Sequence, residues 1–321
     1  MFSLFRKSNN SKEAVGVQIA DNGVAISVMR PPQEGGLPLV LVCDFMAANQ
    51  SSEKAAALKS FVAKYKLDGK PCVAVMPEGS YSLLQVEAPD VAAEEMRMAI
   101  KWKIKDLIDF PLEEAVVDVF EMPTPAQRNR NQVYVVAARA SDVKKQIDLI
   151  AAAGLDLKAI EIEELMSRNV TSFLPEVENG IVLLTFCHNK GLVTLIKGDA
   201  MYLARDLDMG LTALAEENPS HLDELGIDES RHHEAVSLEL QRSIDFFSSS
   251  YAQPPIGRVF VYPNNEVTQG LVAYLNKNMG LEAKILEASQ VAELDSAGAC
   301  QATHFSVNAA GAAIRGLEML S

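Results

Sequence analysis

The chain has 321 residues, 48% of them apolar, and a formal net charge of −14. That length suits two domains or a duplicated pair of lobes, with ample material for buried cores. So acidic a chain is a poor nucleic-acid binder, and no stretch approaches the roughly eighteen uninterrupted apolar residues of a membrane span.

The opening MFSLFRKSNNSK is no signal peptide: its apolar part is too short and its basic residues follow it. Phe2, Leu4 and Phe5 beside Arg6 and Lys7 read as a frayed terminus, with contact to a membrane surface as the alternative. Val15–Met29 then reads VGVQIADNGVAISVM. Val and Ile suit a pleated strand, and Asn22-Gly23 supplies residues tolerant of positive φ, so the pattern predicts a hairpin whose first strand lies inside a sheet. A turn-rich loop (31–36), a third strand (37–45), a helix (52–65) with Ala56, Leu58, Phe61 and Val62 inward, and a buried strand (72–76) follow.

Tyr81–Glu87 alternates as a strand. Asp90 is placed to cap the next helix, and Glu94-Glu95 suit the positive end of its dipole. This helix is expected to run to about Ile108, with Met96, Ile100, Ile104 and Leu107 as its core stripe. Met98 and Trp102, the only tryptophan, lie four apart on another face. They pack under a neighbouring strand or form a groove surface, since exposed aromatics mark contact sites. Strands follow at 116–121 and 132–139, joined by a polar, mobile loop (123–131). A helix capped at Ser141 and stopped at Gly154, a strand (157–162) and a helix (163–173) complete the first half.

Gly180 begins a second round of the same pattern. Strand 181–186 turns at His188-Asn189-Lys190-Gly191 into strand 192–197, which turns at Gly198-Asp199 into a third. Two hairpin starts half a chain apart predict two similarly built lobes. A long helix (235–249), a strand (259–262), a helix (267–278) stopped by Gly280, a strand (283–285) and an Ala-rich helix (307–319) with Gly311 and Gly316 follow.

The four cysteines, Cys43, Cys72, Cys187 and Cys300, are dispersed in apolar surroundings without zinc spacing. They read as unpaired small hydrophobes in a reduced compartment. His232-His233 beside Glu234 reads as a solvated polar face, because adjacent residues point apart. Asp223–Glu229 reads as a solvated acidic loop, and Cys187-His188 is poorly placed as a nucleophile and its base. No phosphate-loop, zinc-helix or nucleophile-elbow motif occurs, so the residues predict no catalytic group and no metal site.

Several stretches resemble one family in the right order over almost the whole chain. The hairpin VGVQIADNGVAISV resembles the first phosphate loop of the actin-like ATPase fold. Trp102–Val119 resembles the inserted subdomain of PilM-type pilus assembly proteins. Lys197–Gly210 resembles the second phosphate hairpin with the arginine strand after it, Leu238–Phe247 the Glu-x-x-Arg-Ser-x-Asp helix, and Phe305–Gly316 the C-terminal connecting helix. Within the family the chain looks most similar to the MshI branch of mannose-sensitive-haemagglutinin pilus biogenesis. The resemblance implies an α/β, actin-like (ribonuclease H-like, duplicated) two-lobe fold with an inserted subdomain. It implies a first lobe at 1–80 and 140–179, the insertion at 81–139, a second lobe at 180–304, and a C-terminal helix at 305–321 returning to the first lobe.

The departures from the family pattern fall on the nucleotide site. Where actin-like ATPases carry Asp-x-Gly, the first hairpin has Gln18 and Ala20 and the second has Thr185 and Cys187. Where the family has a Gly-Gly adenosine turn, this chain has Pro263-Asn264-Asn265, and a proline cannot donate an amide hydrogen bond. The implied reading is a pseudo-ATPase with weak or absent Mg-ATP binding and no other cofactor. The resemblance also implies a cytoplasmic scaffold, peripheral to the inner membrane, that holds the cytoplasmic tail of a PilN-like bitopic protein in a groove whose wall includes Met98 and Trp102. Pilus assembly ATPases and other copies of the chain are further partners it suggests. An active ATPase with a non-standard site, or a filament former, are the alternatives.

Overall fold

The structure, a computed structural model, describes residues 12–33, 36–126, 131–216, 231–300 and 304–320. The Phe2–Lys7 segment, the acidic run Asp223–Glu229 and residues 127–130 of the polar loop lie outside the described residues. The chain divides into two compact units.

The first unit comprises Met1–Val75, Ile147–Glu161 and Ala292–Ser321. Its strands are β1 (Ala14–Ala20), β2 (Gly23–Arg30), β3 (Leu39–Ala47), β4 (Pro71–Val75), β8 (Asp156–Glu161) and β14 (Glu293–Cys300). They form one sheet in the order β14-β3-β2-β1-β4-β8. β1, β2 and β3 pair antiparallel, whereas β4, β8 and β14 join in parallel. Alternation along β1 decides what each face carries. Val15, Val17 and Ile19 pack with Leu58 and Phe61 of α1 (Ser51–Tyr65) and Ile150 near the end of α3 (Ala140–Ala152). The opposite face, with Ala14 and Gly16, lies against α9 (Val307–Leu320). A Cβ on Gly16 would overlap the Ala309 carbonyl, and one on Gly316 would stand 2.7 Å from Ala14 Cβ. The small residues of α9 therefore allow the helix to sit almost on the backbone of β1.

The second unit comprises Met76–Gln146 and Ile162–Val291. A five-stranded sheet runs in the order β11-β10-β9-β12-β13, built from β9 (Ile181–Phe186), β10 (Gly191–Lys197), β11 (Ala200–Leu207), β12 (Arg258–Tyr262) and β13 (Glu282–Ile285). Val182, Leu184, Val193 and Leu195 face a core shared with α6 (Arg231–Tyr251) and α7 (Glu266–Asn278). Two short helices, α5 (Leu211–Glu216) and α8 (Ala288–Val291), follow β11 and β13. The same unit holds a separate antiparallel sheet, β5-β7-β6, from β5 (Tyr81–Glu87), β6 (Ala115–Glu121) and β7 (Gln132–Arg139). Ile100 and Ile104, at the end of α2 (Ala93–Lys103), pack on its Val86, Val133 and Val135. α4 (Glu163–Thr171) lies beside β10 and β11.

The two expected hairpins thus belong to separate sheets, and residues 81–139 contain the whole three-stranded sheet. Five expectations are corrected. Gly23 is not a positive-φ turn residue. It pairs with Ala20, and a Cβ there would overlap Met46 O and the Phe45 ring, so close approach of β3 is what requires glycine. In α1 the buried alanine is Ala57, not Ala56. α2 begins after Ala92 without a side-chain cap, so Asp90 does not cap it. Because α2 ends at Lys103, Leu107 falls out of helical phase and is exposed. Cys43 and Cys300 are joined by a disulfide, since the parallel register of β3 and β14 sets them side by side with Cα atoms 4.4 Å apart. Cys72 is free and buried, and burial pushes its thiol up to about 12, as suits an inert small hydrophobe.

Candidate functional site

Two sets of residues bear on function. The first is the outer face of α2. Met98 and Trp102 are 71% and 67% exposed, one turn apart on the face opposite the buried Ile100 and Ile104. They do not pack under a neighbouring strand. The helix is held by its flanks. Lys101 Nζ donates to Ala115 O at 2.9 Å, Lys103 Nζ donates to Glu87 O at 2.7 Å, and Arg97 pairs with Asp118 at 2.9 Å. These bonds fix α2 on β5 and β6 while Met98 and Trp102 stay open to solvent. Among the described residues, nine large hydrophobic side chains are exposed, and five of them (Val91, Met98, Trp102, Leu107 and Val116) fall within residues 91–116. Single exposed apolar residues are ordinary, and Val116 lies on the face of β6 opposite Val117 and Val119, which pack with Ile100 and Ile104; Met98 and Trp102 are the pair that share one face. Sequence periodicity missed Leu107 because it presumed a longer helix. The exposed alternation of β6 was the available signal for Val116.

The second set is the altered nucleotide positions. Gln18 lies on the α9 side of β1, where its Oε1 accepts a hydrogen bond from Ser306 Oγ at 2.7 Å. Ser306 Oγ in turn accepts from Ala309 N at 3.1 Å. The amide of Gln18 is thus engaged in anchoring the start of α9. Ala20 ends β1 with no polar group to offer. In the second unit, Thr185 is 7% exposed and its hydroxyl has no hydrogen-bond partner. Cys187 is half-buried, and its backbone N–H donates to Lys190 O at 2.8 Å, closing the hairpin turn. At the third position the Tyr262–Pro263 peptide is cis. Pro263 O accepts from Thr268 Oγ1 at 2.6 Å, Asn264 Nδ2 donates to Glu287 Oε1 at 2.8 Å, and Asn265 caps α7. This turn satisfies its own polar groups. The donor set at these positions is an amide, a hydroxyl and a thiol, whereas Mg²⁺ seeks carboxylates and water.

His232 and His233 are half-buried, which corrects the solvated face expected of them, and the His233 ring leans on Tyr274 with centroids 5.3 Å apart. Among the described residues no group of three or more His, Cys, Asp or Glu could hold a metal ion. No helix among them is long and apolar enough to cross a membrane.

No curated protein sequence matches the chain. Among solved structures, the PilM–PilN type IV pilus biogenesis complex is similar over 95% of this chain and 98% of the matched one, with a TM-score of 0.69 at 18% identity. The cytoplasmic domain of EpsL, an inner-membrane component of the type II secretion system of Vibrio cholerae, aligns over 96% and 95% with a TM-score of 0.49 at 13% identity. A Bacteroides thetaiotaomicron protein with actin-like ATPase fold aligns over 91% and 96% with a TM-score of 0.49 at 9% identity. The likeness to the PilM structure gives the fold, an α/β actin-like architecture. The sequence profile of "Type IV pilus assembly protein PilM" matches residues 40–224, more than half of the chain, and covers both the α2 subdomain and the second hairpin. The chain belongs to this family.

Proposed function

We propose that the protein is a scaffold of a type IV pilus assembly machine that holds the cytoplasmic tail of a PilN-like inner-membrane protein against the α2 subdomain. The carrying observation is the exposed apolar pair of Met98 and Trp102, one turn apart on the outer face of α2. Family membership supports the pilus role, and the similar solved structure is itself a complex of PilM with PilN. An extended tail anchored by a few apolar side chains is a common peptide-recognition mode. In this reading the protein is cytoplasmic and peripheral to the inner membrane. It serves a mannose-sensitive-haemagglutinin-type pilus, as the MshI-like sequence suggests, and it works beside pilus assembly ATPases and further copies of itself.

The same reading makes it a pseudo-ATPase, supported by Gln18, Thr185 and Pro263 standing where the family's metal and adenosine chemistry would need other groups. The test is titration of a fluorescent tail peptide from the pilus operon's bitopic protein into purified protein. Saturable binding lost in Trp102→Ala with the fold intact is expected. Binding unaffected by that change overturns the α2 assignment, and cleft-dependent ATP hydrolysis would replace the scaffold with a working ATPase.

A further inference from the structure

Cys43 in β3 and Cys300 in β14 form a disulfide that the scaffold reading does not use. Both belong to the first unit. That reading puts the chain in reducing surroundings, where a disulfide is as a rule a redox-responsive pair and not a structural staple. The position of the bond in the sheet determines what it controls.

β14 is an edge strand, with β3 as its neighbour in the sheet. Its pairing is confined to its two ends. Glu293 and Leu294 stand opposite Leu39 and Val40, and Ala299 and Cys300 stand opposite Val42 and Cys43. Between them Asp295, Ser296, Ala297 and Gly298 occupy the place where β3 has Leu41 alone, so the ladder is interrupted. At the first end Glu293 N donates to Pro38 O at 2.9 Å. At the second the disulfide is the covalent tie, and His304 Nδ1 lies 3.4 Å from Asp44 Oδ1 just beyond it. A run of Asp, Ser, Ala and Gly has little strand preference of its own. A short, interrupted edge strand is the kind of segment that opens locally. The cross-link therefore holds this end of β14 on the sheet.

The two cysteines differ in access. Cys43 is 1% exposed, whereas Cys300 is half-buried. Thiol exchange depends on access to the sulfur under attack, so Cys300 is the point of entry. The chain beyond the bond is held independently. Phe305 is buried, and Ser306 ties the start of α9 to Gln18 on β1. Loss of the bond frees β14 and leaves α9 in place.

We propose that Cys43–Cys300 is a reversible redox latch on β14, opened by a low-molecular-weight thiol of the glutathione class that enters at Cys300. The incoming thiolate attacks Cys300 Sγ. The protein S–S bond breaks, its electron pair leaves on Cys43 Sγ, and a mixed disulfide forms at Cys300. A second thiolate attacks the small-molecule sulfur of that mixed disulfide and releases Cys300 as a thiolate. The protein gains two electrons and, once both thiolates are protonated, two protons; the small thiol leaves oxidised as its disulfide. The latch depends on the cytoplasmic placement proposed above for its reducing surroundings and not on the α2 surface.

The test equilibrates the full chain in millimolar glutathione from wholly oxidised to wholly reduced, alkylates free thiols with N-ethylmaleimide and maps them by peptide mass, which separates this pair from Cys72 and Cys187. The pair is expected to open as one two-thiol unit at an intermediate ratio and to close again when the ratio is reversed. An acid quench during reduction should trap glutathione on Cys300, and folded Cys43→Ala in oxidised glutathione should carry the same adduct. Hydrogen exchange of the reduced and oxidised native chain should show β14 amides exchanging about tenfold faster when reduced, with α9 and β1 unchanged. The proposal is overturned if wholly reduced glutathione leaves the bond intact, if the native pair never forms it, or if the trapped adduct lies on Cys43. It is equally overturned if reduction leaves β14 exchange unchanged or speeds every strand of the unit alike. Tail-peptide binding, read separately, can fail with the latch intact, and the latch can fail with tail binding intact.

Discussion

Tyr81 donates its phenolic hydrogen bond to Glu164 Oε2 at 2.8 Å, joining the first residue of β5 to the first turn of α4 inside the second unit. Both groups are perturbed by the same burial: it pushes the tyrosine well above its ordinary range and the glutamate up to about 7. Because Glu164 titrates from 4.5 when unfolded to about 7 when folded, the folded chain binds the extra proton. Its stabilising effect is complete below pH 4.5 and is lost as pH rises through 7. Denaturant unfolding from pH 5 to 8 is therefore expected to show this site losing on the order of 3 kcal/mol at most. Glu164→Gln, which keeps an acceptor for Tyr81, should flatten that slope. An unchanged slope in the variant would remove Glu164 from the account.

Trp102→Ala is expected to weaken tail binding by about thirtyfold, the equivalent of roughly 2 kcal/mol for an aromatic anchor. Its exposure predicts little change in melting temperature. The contrast is Ile100→Ala, two residues away and fully buried, which should cost about 2–5 kcal/mol of stability through the cavity it leaves. Equal destabilisation by the two changes would place Trp102 in the core and end the surface assignment.

Melting with and without Mg-ATP checks the nucleotide positions. A ligand at one hundred times its Kd stabilises the native state by about 2.7 kcal/mol, which is readily seen. No shift is expected for the native sequence, since Gln18 is engaged by Ser306 and neither hairpin position offers a carboxylate. A saturable shift would show that a nucleotide site survives these replacements.

Gly16→Ala is expected to destabilise the first unit by about 3 kcal/mol or more, because the added methyl overlaps the Ala309 carbonyl. The drop should appear in urea unfolding and as faster exchange of the β1 amides. A fall of under about 1 kcal/mol would mean that α9 moves aside readily.

Most of the strands could be read from alternation and turn residues, and β5, β7 and β9 begin and end where the sequence places them. What escaped depends on distant partners. β14 contains Asp295-Ser296-Ala297-Gly298-Ala299, a run with no intrinsic strand preference, and it is a strand because the edge of β3 accepts it in parallel. The Cys43–Cys300 pair is separated by 257 residues, so spacing carried no hint of it. Met98 and Trp102 were legible as off-stripe residues, yet only the packing of Ile100 and Ile104 shows which side faces water. The buried Thr185 hydroxyl without a hydrogen-bond partner is likewise visible only in three dimensions.

The contact between Gln18 and Ser306 spans 288 residues, and the second unit is nested in sequence between the parts of the first. During synthesis, β1 emerges well before α9, the helix that covers its Ala14 and Gly16 face. The nested unit is translated in full before α9 exists. The inner body is then expected to mature while the outer sheet waits, held open and sticky until its final helix arrives. A ribosome stalled before residue 305 should leave a nascent chain in which the inner unit resists protease and the outer sheet is cut.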